Sequence, residues 1–388
     1  MNLQLPASEF AERTARVQKQ VQQKGLDALL VHSHEADFAN VRYLSDYWPL
    51  FETAGVLVPA EGEPTLLIGP ESEAFAADRS KIKRIRKMIE YRESAEPDYP
   101  GVAVSSFPEV FAEALGNRPL RRLGIAGYAL LALPVYDALR RTLPAVKLEK
   151  ADDILFSLRS KKSPAEITLL QKAFTISEEA LDEVLEVIRP GMSELEIVGV
   201  AQKAIYARGA EYEGHPLYVL SGPNSRHAIS RPSARRIQAG ELLQLNIGAR
   251  VGGYSSSVGC PVAVGKVSAE ARRLMEAGLE GHRQTMQWMR AGVPAKEVAT
   301  RFYAFMEQLG VSDNLLYGPC HGLGMMEVER PWIETTSEYL LEENMTFQVD
   351  TFLQGDDFGL RWENGVRITA SGVEPFSSRH MQIHEIGV

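Results

Sequence analysis

The chain has 388 residues, 45% hydrophobic and 24% charged, with a formal net charge of −9. That make-up fits a globular protein of two domains and argues against nucleic-acid binding. No long apolar run suits a membrane span, no apolar signal core follows the polar N-terminus, and two cysteines make no disulfide framework, so a cytoplasmic location is expected.

The first expected element is a helix over 8–24, with Ser8 as its cap, apolar Phe10, Val17 and Val21 on one face, and Gly25 as its stop. A short buried strand over 26–31 follows, then strands over 55–58, 65–68 and 122–125 and helices over 107–116 and 134–142. The basic run Lys81–Lys87 has no interleaved aromatic residues and reads as a solvated face. This alternation makes an α/β domain over 1–157. Residues 151–162 read as a connection. The second domain, 158–388, opens at Ser163-Pro164-Ala165-Glu166: a cap, a proline at the first helical position and a glutamate closing a capping box.

In that domain, helices are expected over 164–189, 193–208, 268–290 and 295–309, and strands over 216–220, 242–249, 253–264, 345–353 and 358–369. Helices then strands, twice, indicate an α+β domain with a mostly antiparallel sheet and helices on its outer face. Residues 187–209 and 288–310 match at a constant offset: Arg189 with Arg290, Gly191 with Gly292, Glu196 with Glu297, Gly209 with Gly310. The repeat implies two similar halves, related by a pseudo-twofold, enclosing a cleft.

Several motifs, in order along nearly the whole chain, resemble the creatinase / prolidase / aminopeptidase P family with its pita-bread fold. They are Lys24–Val31 with Val41–Leu44, Leu158–Glu166, Gly240–Ala249, Gly253–Ser257, His321–Gly324, Met345–Asp350 and Gly359–Glu363. The resemblance implies an α/β N-terminal domain, a pita-bread C-terminal domain and a homodimer. Metal-dependent members hold two divalent ions with two aspartates, a histidine and two glutamates. The matching positions here are Asn246, Ser257, His321, Asp350 and Glu363. Asn and Ser are weak, neutral ligands for such ions. Val328 stands where the peptidases carry a further histidine, although Glu329 and Pro331 match.

These departures imply the metal-free, creatinase-like branch: no cofactor, no metal ligands, and hydrolysis of a non-peptide C–N bond in an amidine- or guanidine-like small molecule. His227 and His321 are the expected proton-transfer groups, with Glu363 as the third catalytic residue and His215 as the other candidate histidine. His227 lies two residues further from Asn246 than family spacing places it. Asp350, Asn246, Ser257, Glu329 and His215 are the expected substrate-binding residues, with the carboxylates of Asp350 and Glu363 gripping a cationic substrate. Ser255 and Ser256 would continue a neutral polar wall. Creatinase has a glutamate for its guanidinium where this chain has Gly259. Two alternatives stay open: a metal-dependent Xaa-Pro aminopeptidase or dipeptidase, and a homologue that binds a small molecule without turning it over.

Overall fold

A computed structural model describes residues 4–387. Contacts divide the chain into two units, Leu5–Arg159 and the residues from Ser160 on.

The first unit carries α1 (Ala7–Gln23), β1 (Ala28–Ser33), α2 (Ala39–Ser45), β2 (Ala54–Pro59), β3 (Thr65–Ile68), α3 (Glu73–Arg79), β4 (Arg84–Lys87), α4 (Phe107–Leu115), β5 (Arg122–Ala126), α5 (Leu133–Thr142) and β6 (Lys147–Lys150). The six strands make one mixed sheet in the order β4-β3-β2-β1-β5-β6. Central β1 is buried at every position, which is why it opens on the unbroken apolar run Ala28–Val31 rather than an alternation. Met88, Phe107, Phe111, Leu123 and Leu139 form the core against it. The basic run lies on and beside β4, a half-buried edge where charge discourages further strand pairing. Pro6, not Ser8, stands at the N-cap of α1. The expected connection over 151–162 is instead largely helix α6 (Asp152–Ser160). Asp152 and Asp153 in its first turn and Arg159 in its last complement the helix dipole, a signal outweighed in the sequence by the following Lys-Lys-Ser-Pro.

The second unit contains α7 (Pro164–Val187), α8 (Glu194–Ala207), β7 (Tyr212–Glu213), β8 (Tyr218–Ser221), β9 (Leu242–Ile247), β10 (Ala249–Val251), β11 (Tyr254–Ser255) and β12 (Val258–Val264). Its second half repeats the order with α9 (Ala269–Trp288), α10 (Ala295–Gln308), β13 (Leu315–Tyr317), β14 (Cys320–Gly322), β15 (Glu329–Ile333), β16 (Thr346–Gln354) and β17 (Gly359–Ile368), followed by β18 (Val373–Pro375) and β19 (His384–Ile386). The main path of the large sheet is β15-β14-β16-β17-β12-β9-β8, antiparallel throughout. Ser163 with Glu166 and Ser193 with Glu196 form capping boxes that start α7 and α8. The repeat is also conformational: Gly191 and Gly292, in the turns after α7 and α9, adopt φ 91° and 86°, and Gly209 and Gly310, just past the ends of α8 and α10, adopt 89° and 66°. One face of the sheet packs on the helices. Cys320, Val349 and Val366 join Met286, Val298 and Ala299 in that core. The opposite face carries the polar residues.

Candidate functional site

Strand periodicity and register bring the polar residues together. Asp350 on β16 pairs with Glu363 on β17, Glu363 with Gly259 on β12, and Gly259 with Asn246 on β9. His321 on β14 lies opposite Gln348, two residues before Asp350 and therefore on the same face. Cys320, one residue from His321, turns the other way into the core, its thiol 3.9 Å from Met289 Sδ. It forms no dyad with His321.

Glu363 is the hub. Its Oε2 accepts from Asn246 Nδ2 and from Ser257 Oγ, the latter at 3.0 Å, and its Oε1 accepts from Gln348 Nε2 at 3.1 Å. Gly259 makes this possible, because a Cβ there would stand 2.5 Å from Asn246 Nδ2 and 2.8 Å from Glu363 Cβ. Glu327, from the loop after β14, brings a carboxylate oxygen within 4.8 Å of those of Glu363 and His321 Nε2. Burial raises the pKa of both carboxyls, and mutual repulsion within the acidic cluster adds to the rise at Glu363.

Asp350 is neutralised differently. Arg361 Nε lies 3.3 Å from its Oδ1, and both side chains are buried. The guanidinium donates to Ala228 O and to Tyr317 Oη and stacks near the rings of Tyr218, Tyr317 and Phe352. Burial alone would weaken the Arg361 charge, but Asp350 and the neighbouring acids hold its pKa above the usual range.

His215 enters from the segment before β8. Its Nδ1 lies 2.7 Å from Pro216 O, and a carbonyl only accepts, so Nδ1 carries the hydrogen. Its Nε2 is then an acceptor 2.9 Å from Ser257 Oγ and competes with Glu363 Oε2 for the one hydroxyl hydrogen. Burial lowers the His215 pKa, so the ring is neutral. Gly248 admits the ring, since a Cβ there would come within 2.8 Å of it. A cleft of about 270 Å³ opens beside His321 and Asp350, with Tyr303, Tyr317 and Trp332 among its walls.

Other expected site residues lie elsewhere. His227 is exposed at the end of a 3-10 turn, and its side chain has no hydrogen bond into the cluster. Glu329 is buried against Lys162, Oε1 to Nζ at 3.1 Å, and its other oxygen faces the Met326 N–H. Ser255 and Ser256 spend their hydroxyls on Met325 O, Ala249 O and Ser177 rather than lining a wall. Glu327, Gln348 and Arg361 are the members that sequence reasoning missed as site residues. Strand parity with Asp350 and Glu363 was the available signal for Gln348 and Arg361; Glu327 sits in a loop and had none.

A curved antiparallel sheet with this polar cluster on its inner face, preceded by an α/β unit, defines a pita-bread hydrolase. Residues 168–370 match the family described as "Metallopeptidase family M24", and residues 13–161 match "Creatinase/Prolidase N-terminal domain". The chain therefore belongs to metallopeptidase family M24. It is 25% identical over 374 residues to the Xaa-Pro dipeptidase of Pyrococcus furiosus, covering 96% of this chain and 99% of that one. The structure of an X-Pro aminopeptidase from Thermotoga maritima matches with a TM-score of 0.83 at 22% identity, covering 96% and 99% of the two chains. Dipeptidase PepE from Mycobacterium ulcerans matches at 0.82 and 24% identity, over 99% and 100%.

These relatives carry peptidase names, which overturns the expected amidine- or guanidine-cleaving, creatinase-like activity. The site gives a physical reason. The carboxylates meant to grip a cationic substrate are already engaged, Asp350 by Arg361 and Glu363 by donors from Asn246, Ser257 and Gln348. The family's pair of metal ions fits no better. At the two aspartate positions Asn246 and Ser257 turn N–H and O–H donors toward Glu363, where ligands would present lone pairs.

Proposed function

We propose that this protein is a dipeptidase-type hydrolase that cleaves the amide bond of a small Xaa-Pro-like substrate. The observation that carries the reading is the convergence of His321, Glu327, Asp350 and Glu363 beside a cleft of about 270 Å³. That volume suits a substrate of dipeptide size, and the aromatic walls suit a flat, apolar ring such as that of proline. The names of the relatives point to the same substrate class.

Amide hydrolysis needs a fixed substrate, an oriented water and a proton for the leaving nitrogen. Arg361, bonded to Tyr317 and Ala228 O and paired with Asp350, holds Tyr317 and Asp350 in place in the cleft wall, where they position the substrate. His215 Nε2 and Ser257 Oγ connect to Glu363 Oε2 at 2.9 and 3.0 Å, a path that moves a proton between the half-buried imidazole and the cluster.

The test is release of free proline from a panel of Xaa-Pro dipeptides, with and without added divalent ions. We expect turnover that falls at least about 100-fold in His215→Asn. Absence of turnover on every dipeptide, under both conditions, would overturn the proposal. A cytoplasmic homodimer belongs to the same proposal. Both cysteines are buried and free, no helix of the described residues is long and apolar enough to cross a membrane, and the family resemblance implies a dimer. Light scattering should give a mass near twice 43.0 kDa; a monomer at all concentrations would remove the dimer.

A further inference from the structure

His380 and His384 lie away from the cluster on the sheet, in the segment that links β18 to β19 and in β19 itself. Glu178 and Asp182, one turn apart on α7, hold the start of this segment. Glu178 Oε1 accepts from the Ser378 and Arg379 N–H groups at 2.8 Å each, and Asp182 pairs with Arg379. β19 then runs beside β12, with His384 opposite Val262. Between these anchors His380 Nε2 lies 3.2 Å from the Glu178 carbonyl and 3.2 Å from Asp182 Oδ1. Both partners are acceptors, so Nε2 carries the hydrogen of the neutral ring and Nδ1 carries a lone pair.

His380 Nδ1 stands 3.3 Å from His384 Nε2. That span is longer than the ordinary range for a hydrogen bond from N–H, about 2.7–3.2 Å. It matches the separation of two nitrogens on one tetrahedral ion, roughly 3.3–3.4 Å for metal–nitrogen bonds of about 2.0–2.1 Å. His380 is 2% exposed, whereas His384 is half-buried and gives solvent a way to the gap. Burial lowers the pKa of both rings, which leaves them neutral near pH 7 and able to act as ligands. His384 needs only to carry its hydrogen on Nδ1 for two lone pairs to meet. A metal-bound imidazole characteristically passes its other N–H to a carboxylate or a carbonyl, and His380 Nε2 faces both.

We propose that His380 Nδ1 and His384 Nε2 form a site for one borderline divalent ion of the zinc or copper class, with Asp182 and Glu178 orienting His380 from behind. Two imidazoles suit these ions, which complete their coordination with water. The bound ion ties the strand beside β12 to α7 and so acts as a structural clip. It is separate from the polar face of the sheet and neither depends on the dipeptidase proposal nor supports it.

The test titrates the full chain, stripped with chelator, with Zn²⁺ and Cu²⁺ near neutral pH. His384→Gln should bind one equivalent fewer than the wild-type chain, and His227→Ala the same number. Asp182→Asn should keep that equivalent but weaken it about 10–100-fold. In the wild-type chain Zn²⁺ should slow amide hydrogen exchange over 378–386, and Cu²⁺ should show nitrogen hyperfine splitting that His384→Gln removes. Equal stoichiometry in the wild type and His384→Gln overturns the site. Exchange over 378–386 that ignores Zn²⁺ also overturns it, without any variant having to fold. Affinity indifferent to Asp182→Asn overturns the orienting role given to that carboxylate.

Discussion

Asp350 and Arg361 show how one residue's partner sets its role. An aspartate on a buried strand looks from the sequence like a ligand or a substrate grip, yet its charge is spent on Arg361. Removing one partner of a buried pair strands the other charge, whereas removing both often costs little. Asp350→Asn should therefore destabilise the fold by about 3–5 kcal/mol in urea unfolding. The double change with Arg361→Met should recover most of that loss, and a double mutant no more stable than Asp350→Asn would show that the pair is not coupled. At the same scale, His227→Ala should leave turnover and Tm unaltered, because the exposed ring touches nothing in the cluster. Gly259→Ala should cost about 1–3 kcal/mol, since its Cβ would stand 2.5 Å from Asn246 Nδ2.

At the scale of elements, the repeat supplies an internal control. Gly191 and Gly292 adopt φ 91° and 86°, and an added Cβ would meet nothing within 4 Å at either place. Alanine at either position should thus cost only backbone strain, about 1 kcal/mol each. Gly127 differs: at φ 77° its Cβ would lie 2.2 Å from the His32 carbonyl, so alanine there must also move β1 or the turn. Thermal unfolding should rank Gly127→Ala well below the other two. Ser193→Ala, which removes the hydroxyl accepting from the Glu196 N–H at 3.2 Å, should cost about 1 kcal/mol.

For the whole molecule, the response to acid follows from buried imidazoles. His32 on β1 and His282 on α9 are pushed from 6.5 down to about 4, in both cases chiefly by burial. Above pH about 6.5 both rings are neutral whether the chain is folded or not, and stability does not depend on them. As pH falls toward 4 the unfolded chain takes up protons that the folded chain refuses. Stability should therefore decline across that window, by up to about 3 kcal/mol per histidine. Tm measured from pH 8 to pH 4 should be flat and then fall, and His32→Leu should flatten part of the fall. An unchanged slope in that variant would remove His32 from the account.

Much of this protein was determined by its sequence alone. Capping boxes, glycine stops and apolar periodicity located the long helices and strands, because those signals are local. The ordered motifs, from Lys24–Val31 to Gly359–Glu363, gave the family and the pita-bread fold. The α6 helix was missed because the strong start signal at Ser163-Pro164 outweighed weaker charge placement before it. Only the tertiary structure decided the site's chemistry. Which carboxylate meets Arg361, which hydroxyl meets His215, and whether Glu327 reaches His321 depend on register across β9, β12, β14, β16 and β17 and on the path of one loop. Those pairings join residues as far apart in the chain as Asn246 and Glu363, and separation in sequence carries no information about a contact made through the fold.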